Sequence, residues 1–417
     1  MPVLGVVLWV LWAYTGLPPD PPLPSTNIGN TSAGFADADW RQAGGGVANW
    51  TASTNGALPV DVAPETMWRY VAGSPITAPP AVVGQRVYLT AEDGSVVALE
   101  RGTGTVLWQY DSGLPAAVTP AVTEDLVFVV FRAGVVSALE PETGGLVWSR
   151  RLQVASLPSP TVSDGRLFVA ESDKNRLIAL DAATGEPLWD YRLDDWVIAP
   201  PAIIDGKVIA TANDARVHVL DEGTGKLRMI YDAGSARWAR GGPLATEDLL
   251  HFSSFGGVVW GLDYQGHRYP LERQIQYVRT VLWVWGFTKN GPEQQGYVWS
   301  AQTPGEQPYP PALSGSTLVV ADASGLVTGL NADNGEILWE FNSGSDITVA
   351  ATTADSVALI GDENGQVIAI SIGDGSQKWV VNLDGVITAS PIVAGGMLLA
   401  ATSSDNGTLT ALSFSSR

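Results

Sequence analysis

The chain contains no cysteine, which excludes disulfide staples, thiol nucleophiles and thiolate metal sites. Histidine is almost as scarce. His218, His251 and His267 are the only three, and no HxH or HExxH spacing aims two of them at one metal ion. Basic residues are few, 23 Lys and Arg against 43 Asp and Glu, giving a formal charge of −20. A surface of that sign repels phosphate backbones, so no nucleic-acid partner is expected. The acidity itself reads first as a solubility device, and second as a match for a partner with a basic face. There is no GxxxxGK[ST] phosphate loop and no GxSxG nucleophile elbow. Long apolar runs are missing as well. The run from Val3 to Leu17 would cover roughly 22 Å as a helix, short of a hydrocarbon core of roughly 30 Å. Residues 1–24 therefore read as a signal-like or anchor segment, with a membrane tether through residues 3–17 as one option and a helix packed on another subunit as another.

What the chain has is repetition. Apolar, Pro-led segments recur at Pro80, Pro120, Pro160, Pro201, Pro243, Pro311, Ala351 and Pro391, in steps of 40, 40, 41, 42, 68, 40 and 40 residues. A second motif keeps the same beat: TGTVLW to Trp108, TGGLVW to Trp148, TGEPLW to Trp189, TGKLRM to Met229, NGEILW to Trp339 and DGSQKW to Trp379. The Thr-Gly, Asn-Gly and Asp-Gly pairs supply the positive φ of tight turns, and the alternating apolar residues around them have the two-residue period of strands. A period of about forty residues in an all-β pattern predicts a β-propeller, here with eight blades of four antiparallel strands. The C-terminal copy lacks its own closing motif. PETMWRY supplies it from the other end, with Trp68 lying 40 residues before Trp108. The N-terminal strand is thus predicted to complete the last blade and close the ring. The domain reading is 1–24 as the apolar segment, 25–62 as an N-terminal extension pinned by Trp40 and Trp50, and 63–417 as the propeller. A content of 45% apolar and 16% charged residues suits one large core.

These repeats resemble the PQQ-like, quinoprotein-type propeller family, in its BamB-like form. The resemblance implies that Trp68, Trp108, Trp148, Trp189, Trp339 and Trp379 dock flat between neighbouring blades as core residues, with Met229 and Pro270 in the equivalent places of the two remaining blades and weaker seams there. It also implies two functional classes, because the repeat serves both non-catalytic scaffolds and PQQ-dependent dehydrogenases. Family dehydrogenases carry a vicinal disulfide and an Asp, Glu and Asn set around quinone and calcium. The Cys pair is impossible here, and no such set stands out from the repeat. BamB-like lipoproteins carry a lipid-modified N-terminal Cys, which this chain also lacks.

The step of 68 residues marks an insertion, read as 272–309, with strand-like runs around KNGPEQQG that predict a projecting β-hairpin. Trp283, Trp285, Phe287, Tyr297 and Trp299 crowd it. Either these rings form an anchor-rich docking surface for a partner or they fold over the propeller as a cap. Acidic turns beginning at Glu92, Asp322 and Asp362 suit tight-turn geometry better than calcium loops. The sequence thus offers no catalytic, cofactor-binding or metal-binding residue. Its best functional reading is a non-catalytic scaffold of the cell envelope, periplasmic or otherwise extracytoplasmic, that holds a protein partner in a BamB-like way. A quinoprotein dehydrogenase or a ligand-sensing propeller is the alternative.

Overall fold

A computed structural model of the chain describes residues 41–43, 62–152, 158–234, 239, 241–266, 272–288 and 294–414. Among these, the strands form eight four-stranded antiparallel sheets. Blades 1 to 7 span 81–111, 121–151, 161–192, 202–232, 244–302, 312–342 and 352–382. Blade 1 shows the common pattern, Ala81–Val83, Arg86–Thr90, Ser95–Glu100 and Val106–Asp111. The short first strands of neighbouring blades touch one another around the axis.

Blade 8 is closed as the repeat predicts. Ile387–Ala394, Met397–Thr402 and Thr408–Ser413 are followed in the sheet by Glu65–Val71, with Trp68 opposite Ala411. The chain's two ends thereby remove the open edges that an unclosed ring would expose.

One local device recurs in every blade. The ladder between the third and fourth strands slips by a residue just ahead of the docking position, so that Leu99 pairs with Val106 and Ala98 with Trp108, leaving Leu107 over. The closing strand does the same at Met67. Such a bulge re-aims the side chains that follow it. Val106 and Leu107 both face solvent, at 44% and 47% exposure, while Trp108 turns inward at 7%.

The apolar core is divided among the seams. Each of eight buried clusters joins two adjacent blades; the one at the closure unites Trp68, Val82 and Leu89 with Leu399 and Leu409. Trp108 Nε1 donates to the Pro141 carbonyl at 2.9 Å, one blade on. Its ring lies on Gly144, where φ is +72° and a methyl group would sit 2.5 Å from the indole. Trp68, Trp148, Trp189 and Trp339 repeat the bond, to Arg101, Ala182, Glu222 and Ile372. The TG glycine is thus required twice, for its backbone conformation and for the close approach of an indole.

Hydroxyl groups stitch the blades nearer the axis. Thr90 donates to the Val118 carbonyl at 2.6 Å, Thr211 to Gly241 at 3.0 Å, Ser253 to Tyr309 at 2.9 Å and Thr388 to Ile76 at 2.6 Å. Each bond satisfies a backbone acceptor of the segment that enters the next blade.

Candidate functional site

Two places hold the candidate functional residues: the axis of the ring and the long step in blade 5. The edge of each first strand that faces the axis carries backbone N–H groups unpaired by its own sheet. In blades 2 and 3 these groups meet the N-terminal extension. The Val122 N–H donates to the Arg41 carbonyl at 2.8 Å and the equivalent Val162 N–H to Gln42 Oε1 at 2.9 Å. Gln42 is only 2% exposed. No residue pattern announces this contact; Trp40 and Trp50, on which the extension was expected to be pinned, lie outside the described residues, as do residues 1–24.

The carboxylates of the acidic turns are turn caps. Asp93 Oδ1 accepts from the Ser95 N–H and hydroxyl, Asp322 Oδ1 from the Ser324 N–H, and Asp362 Oδ1 from the N–H groups of Asn364 and Gln366. Among the described residues no three His, Asp or Glu side chains converge as a metal site. His218 and His251 lie in separate sheets, each 1% exposed. His218 Nδ1 is 3.2 Å from the Tyr191 hydroxyl. His251 packs 5.6 Å from the Trp299 ring, and burial pulls its pKa down to about 4. His267 lies outside the described residues.

The blade 5 step is not a hairpin. It opens with a helix, α1, over Glu272–Val284. The segment ERQIQYVRTVLWV has no Gly or Pro, and six of its thirteen residues are Glu, Arg, Gln or Leu, all good helix formers. Ile275, 7% exposed, with the half-buried Val278 and Leu282 at i+3 and i+7, makes its apolar stripe. Gly286, at φ +76°, ends the helix, and the Trp285 and Phe287 N–H groups close on the Val281 and Leu282 carbonyls at 3.0 and 2.9 Å.

The excursion lies within blade 5, between its third and fourth strands, so the range 272–309 took in part of the blade. Tyr297–Gln302 is the blade's fourth strand. Trp299 is consequently no partner-binding residue. It is 6% exposed, donates to the Ala332 carbonyl at 2.9 Å and lies on Gly335, as the other docking indoles do. Trp299 thus holds the position expected of Pro270, which lies outside the described residues. The readable signal was that Trp299 precedes Trp339 by 40 residues. Met229 does occupy the docking place of blade 4, fully buried, with its sulfur against Gly266 and its methyl against Gly296.

The other rings are exposed: Trp283 at 45%, Trp285 at 71%, Phe287 at 70% and Tyr297 at 38%. Tyr277, overlooked in the sequence, joins them at 71%. The excursion returns to the ring through Gln294, whose amide accepts from the Asp232 N–H at 2.9 Å and donates to the Asp232 carbonyl at 2.7 Å. That side chain acts as a short substitute strand on the edge of blade 4. Beside it opens a pocket of about 360 Å³ lined by Tyr231, Asp232, Trp260, Gln294 and Tyr297 among others.

A family model described as the outer membrane protein assembly factor BamB matches residues 60–156, 132–340 and 256–416. Together these stretches take in all eight blades. The chain belongs to the BamB family. No curated protein matches it. Among solved structures, BamB from Moraxella catarrhalis is 19% identical, with 85% of this chain and 99% of that one covered at a TM-score of 0.68. Quinohemoprotein alcohol dehydrogenase from Comamonas testosteroni is 14% identical, with 93% and 82% covered at 0.70. The computationally designed Ika8 protein is 16% identical, with 84% and 100% covered at 0.66. An assembly factor, an enzyme and a designed protein share this ring, so the likeness speaks for the fold alone. No helix of the described residues is long and apolar enough to cross a membrane.

Proposed function

We propose that this protein is a non-catalytic scaffold of the cell envelope, acting outside the cytoplasm in a BamB-like way, and that it holds protein partners through the aromatic surface of the blade 5 excursion. In this reading residues 1–24 direct export or tether the chain and 25–62 form an extension of the propeller at 63–417. The observation that carries the proposal is the exposure of Trp283, Trp285 and Phe287 on the helix of the excursion and the turn that follows it. Large exposed aromatic patches are the usual anchors of protein interfaces, since rings bury much area for little lost rotamer freedom. Membership of a family described by an assembly factor favours the scaffold reading too.

Affinity purification of the full chain from its native host tests the proposal. The expected result is a stably co-purifying protein that is lost when Trp283 and Trp285 are both changed to Ala. Dye-reducing activity that depends on added quinone and calcium, with no protein retained, would instead make the chain a dehydrogenase.

A further inference from the structure

We propose that the pocket at the seam of blades 4 and 5 is a binding site for a guanidinium group. It is a second site, apart from the docking surface of the excursion, because Trp283, Trp285 and Phe287 do not line it.

One seam departs from its neighbour. Between blades 3 and 4, Tyr191, two residues after the docking Trp189, has its hydroxyl 3.2 Å from His218 Nδ1. The equivalent positions at the next seam hold Tyr231, two residues after Met229, and Trp260. Their rings meet with centroids 5.9 Å apart, but the one polar atom of the indole, Nε1, donates to Ser254 Oγ at 3.2 Å instead. The Tyr231 hydroxyl is left with no hydrogen-bond partner among the described residues. Tyr231 is only 4% exposed, and it lines the cavity of about 360 Å³. Burial, with Tyr297 and the Asp232 carboxylate close by, raises its pKa, so the oxygen stays a neutral hydroxyl able to accept. A phenol buried to this extent normally has a partner, and the cavity is where one fits.

The lining selects the ligand in three ways. Its N–H groups are largely spent, that of Asp232 on Gln294, that of Gly234 on Asp232 Oδ1 and that of Ala233 on the Ala215 carbonyl, which leaves one amide N–H of Gln294. The Tyr231 oxygen and the remaining lone pairs of the Asp232 carboxylate are acceptors, so the ligand brings the donors. Charge has a sign here as well. Arg216 is paired with Asp194, Asp214 and Asp232 at 3.0, 3.0 and 2.9 Å, so one guanidinium answers three carboxylates and an anion is disfavoured. The walls are the rings of Tyr231, Trp260 and Tyr297, and such rings attract cations. A guanidinium meets all three conditions, being flat, charged, able to stack on aromatic rings and equipped with five N–H donors. A quaternary ammonium has no N–H for the hydroxyl, and a primary ammonium is compact and strongly hydrated.

Titration calorimetry of the full chain tests this, with propylguanidine as a free guanidine and a capped Gly-Arg-Gly tripeptide as the arginine side chain of a protein. Both are expected to bind saturably at one site per chain. Propylurea and the citrulline tripeptide, which keep the shape and lose the charge, should not. Tyr231→Phe keeps the buried ring and removes only an oxygen that bonds nothing, so its thermal midpoint should equal or exceed that of wild type while both probes weaken about fivefold. Changing Trp283 and Trp285 to Ala should leave both affinities unchanged, which separates this site from the docking surface. Tighter binding of propylguanidine makes the ligand a free guanidine, and tighter binding of the tripeptide makes it an arginine of a partner protein. No heat from either probe, a neutral analogue or tetramethylammonium bound as tightly, or affinities indifferent to Tyr231→Phe would overturn the inference.

Discussion

Trp68 Nε1 lies 2.8 Å from the Arg101 carbonyl, a bond that joins the strand completing blade 8 to the turn of blade 1. The indole also covers Gly104, whose φ of +70° leaves the space it fills. This one side chain therefore serves two closures, that of the last sheet and that of the ring. Trp68→Ala is expected to cost about 3–5 kcal/mol, the range for removing a large buried ring. It should also free the segment 62–71 for proteolysis before the rest of the ring unfolds. Urea denaturation and limited proteolysis measure both. A cut rate at 62–71 equal to wild type would show that closure does not depend on this residue.

The docking indoles are not equivalent. Trp339 Nε1 donates to the Ile372 carbonyl at 2.7 Å, whereas Trp379 Nε1 is buried with no hydrogen-bond partner among the described residues and its ring meets Phe414 at 6.0 Å. Trp339→Phe should lose a hydrogen bond worth about 1 kcal/mol in addition to packing. Trp379→Phe removes a buried N–H that had gained nothing and should be close to neutral. The difference between the two urea midpoints checks the contrast, and equal losses would refute it.

The ring was legible because its determinants are local and periodic. Turn glycines, strand alternation and an indole every forty residues can be counted, and the count closes only if Trp68 joins the last blade. The excursion was misread for a physical reason: its Val and Trp content has strand character, while the i, i+3, i+7 spacing of Ile275, Val278 and Leu282 decides in favour of a helix. Trp299 was legible but uncounted, since its distance from Trp339 is the repeat itself. The bulges at Leu107 and Met67 follow from ladder geometry that no residue type announces. The contacts of Arg41 and Gln42 with Val122 and Val162 join residues 81 and 120 positions apart through one backbone carbonyl and one amide, and pairs of that kind leave no pattern in a single sequence.

His251 predicts an acid sensitivity. Burial against Trp299 lowers its pKa to about 4, below the 6.5 of an exposed imidazole. The folded state therefore resists protonation that the unfolded chain accepts. Stability from this residue is complete above pH 6.5 and falls as the pH drops toward 4, by a total on the order of 3 kcal/mol. His251→Phe keeps a ring beside Trp299 and removes the titration. Its urea midpoint should change less than that of wild type between pH 7 and pH 4. Parallel pH profiles would place the acid sensitivity elsewhere.

The extension's hold on the axis can be read one amide at a time. Val122 gives its N–H to a backbone carbonyl, that of Arg41, while Val162 gives its own to the side chain of Gln42. Truncating Gln42 to Ala removes only the second acceptor. Hydrogen exchange at Val162 should then accelerate at least tenfold, the equivalent of about 1.4 kcal/mol of lost protection, with Val122 changed much less. Because Gln42 is 2% exposed, the freed N–H would face a small cavity rather than bulk water. A thermal midpoint lowered along with selective exchange at Val162 would place the extension in the folded core of the ring. Exchange at both amides as fast in wild type as in an unstructured peptide would show that residues 41–43 do not occupy the axis in solution.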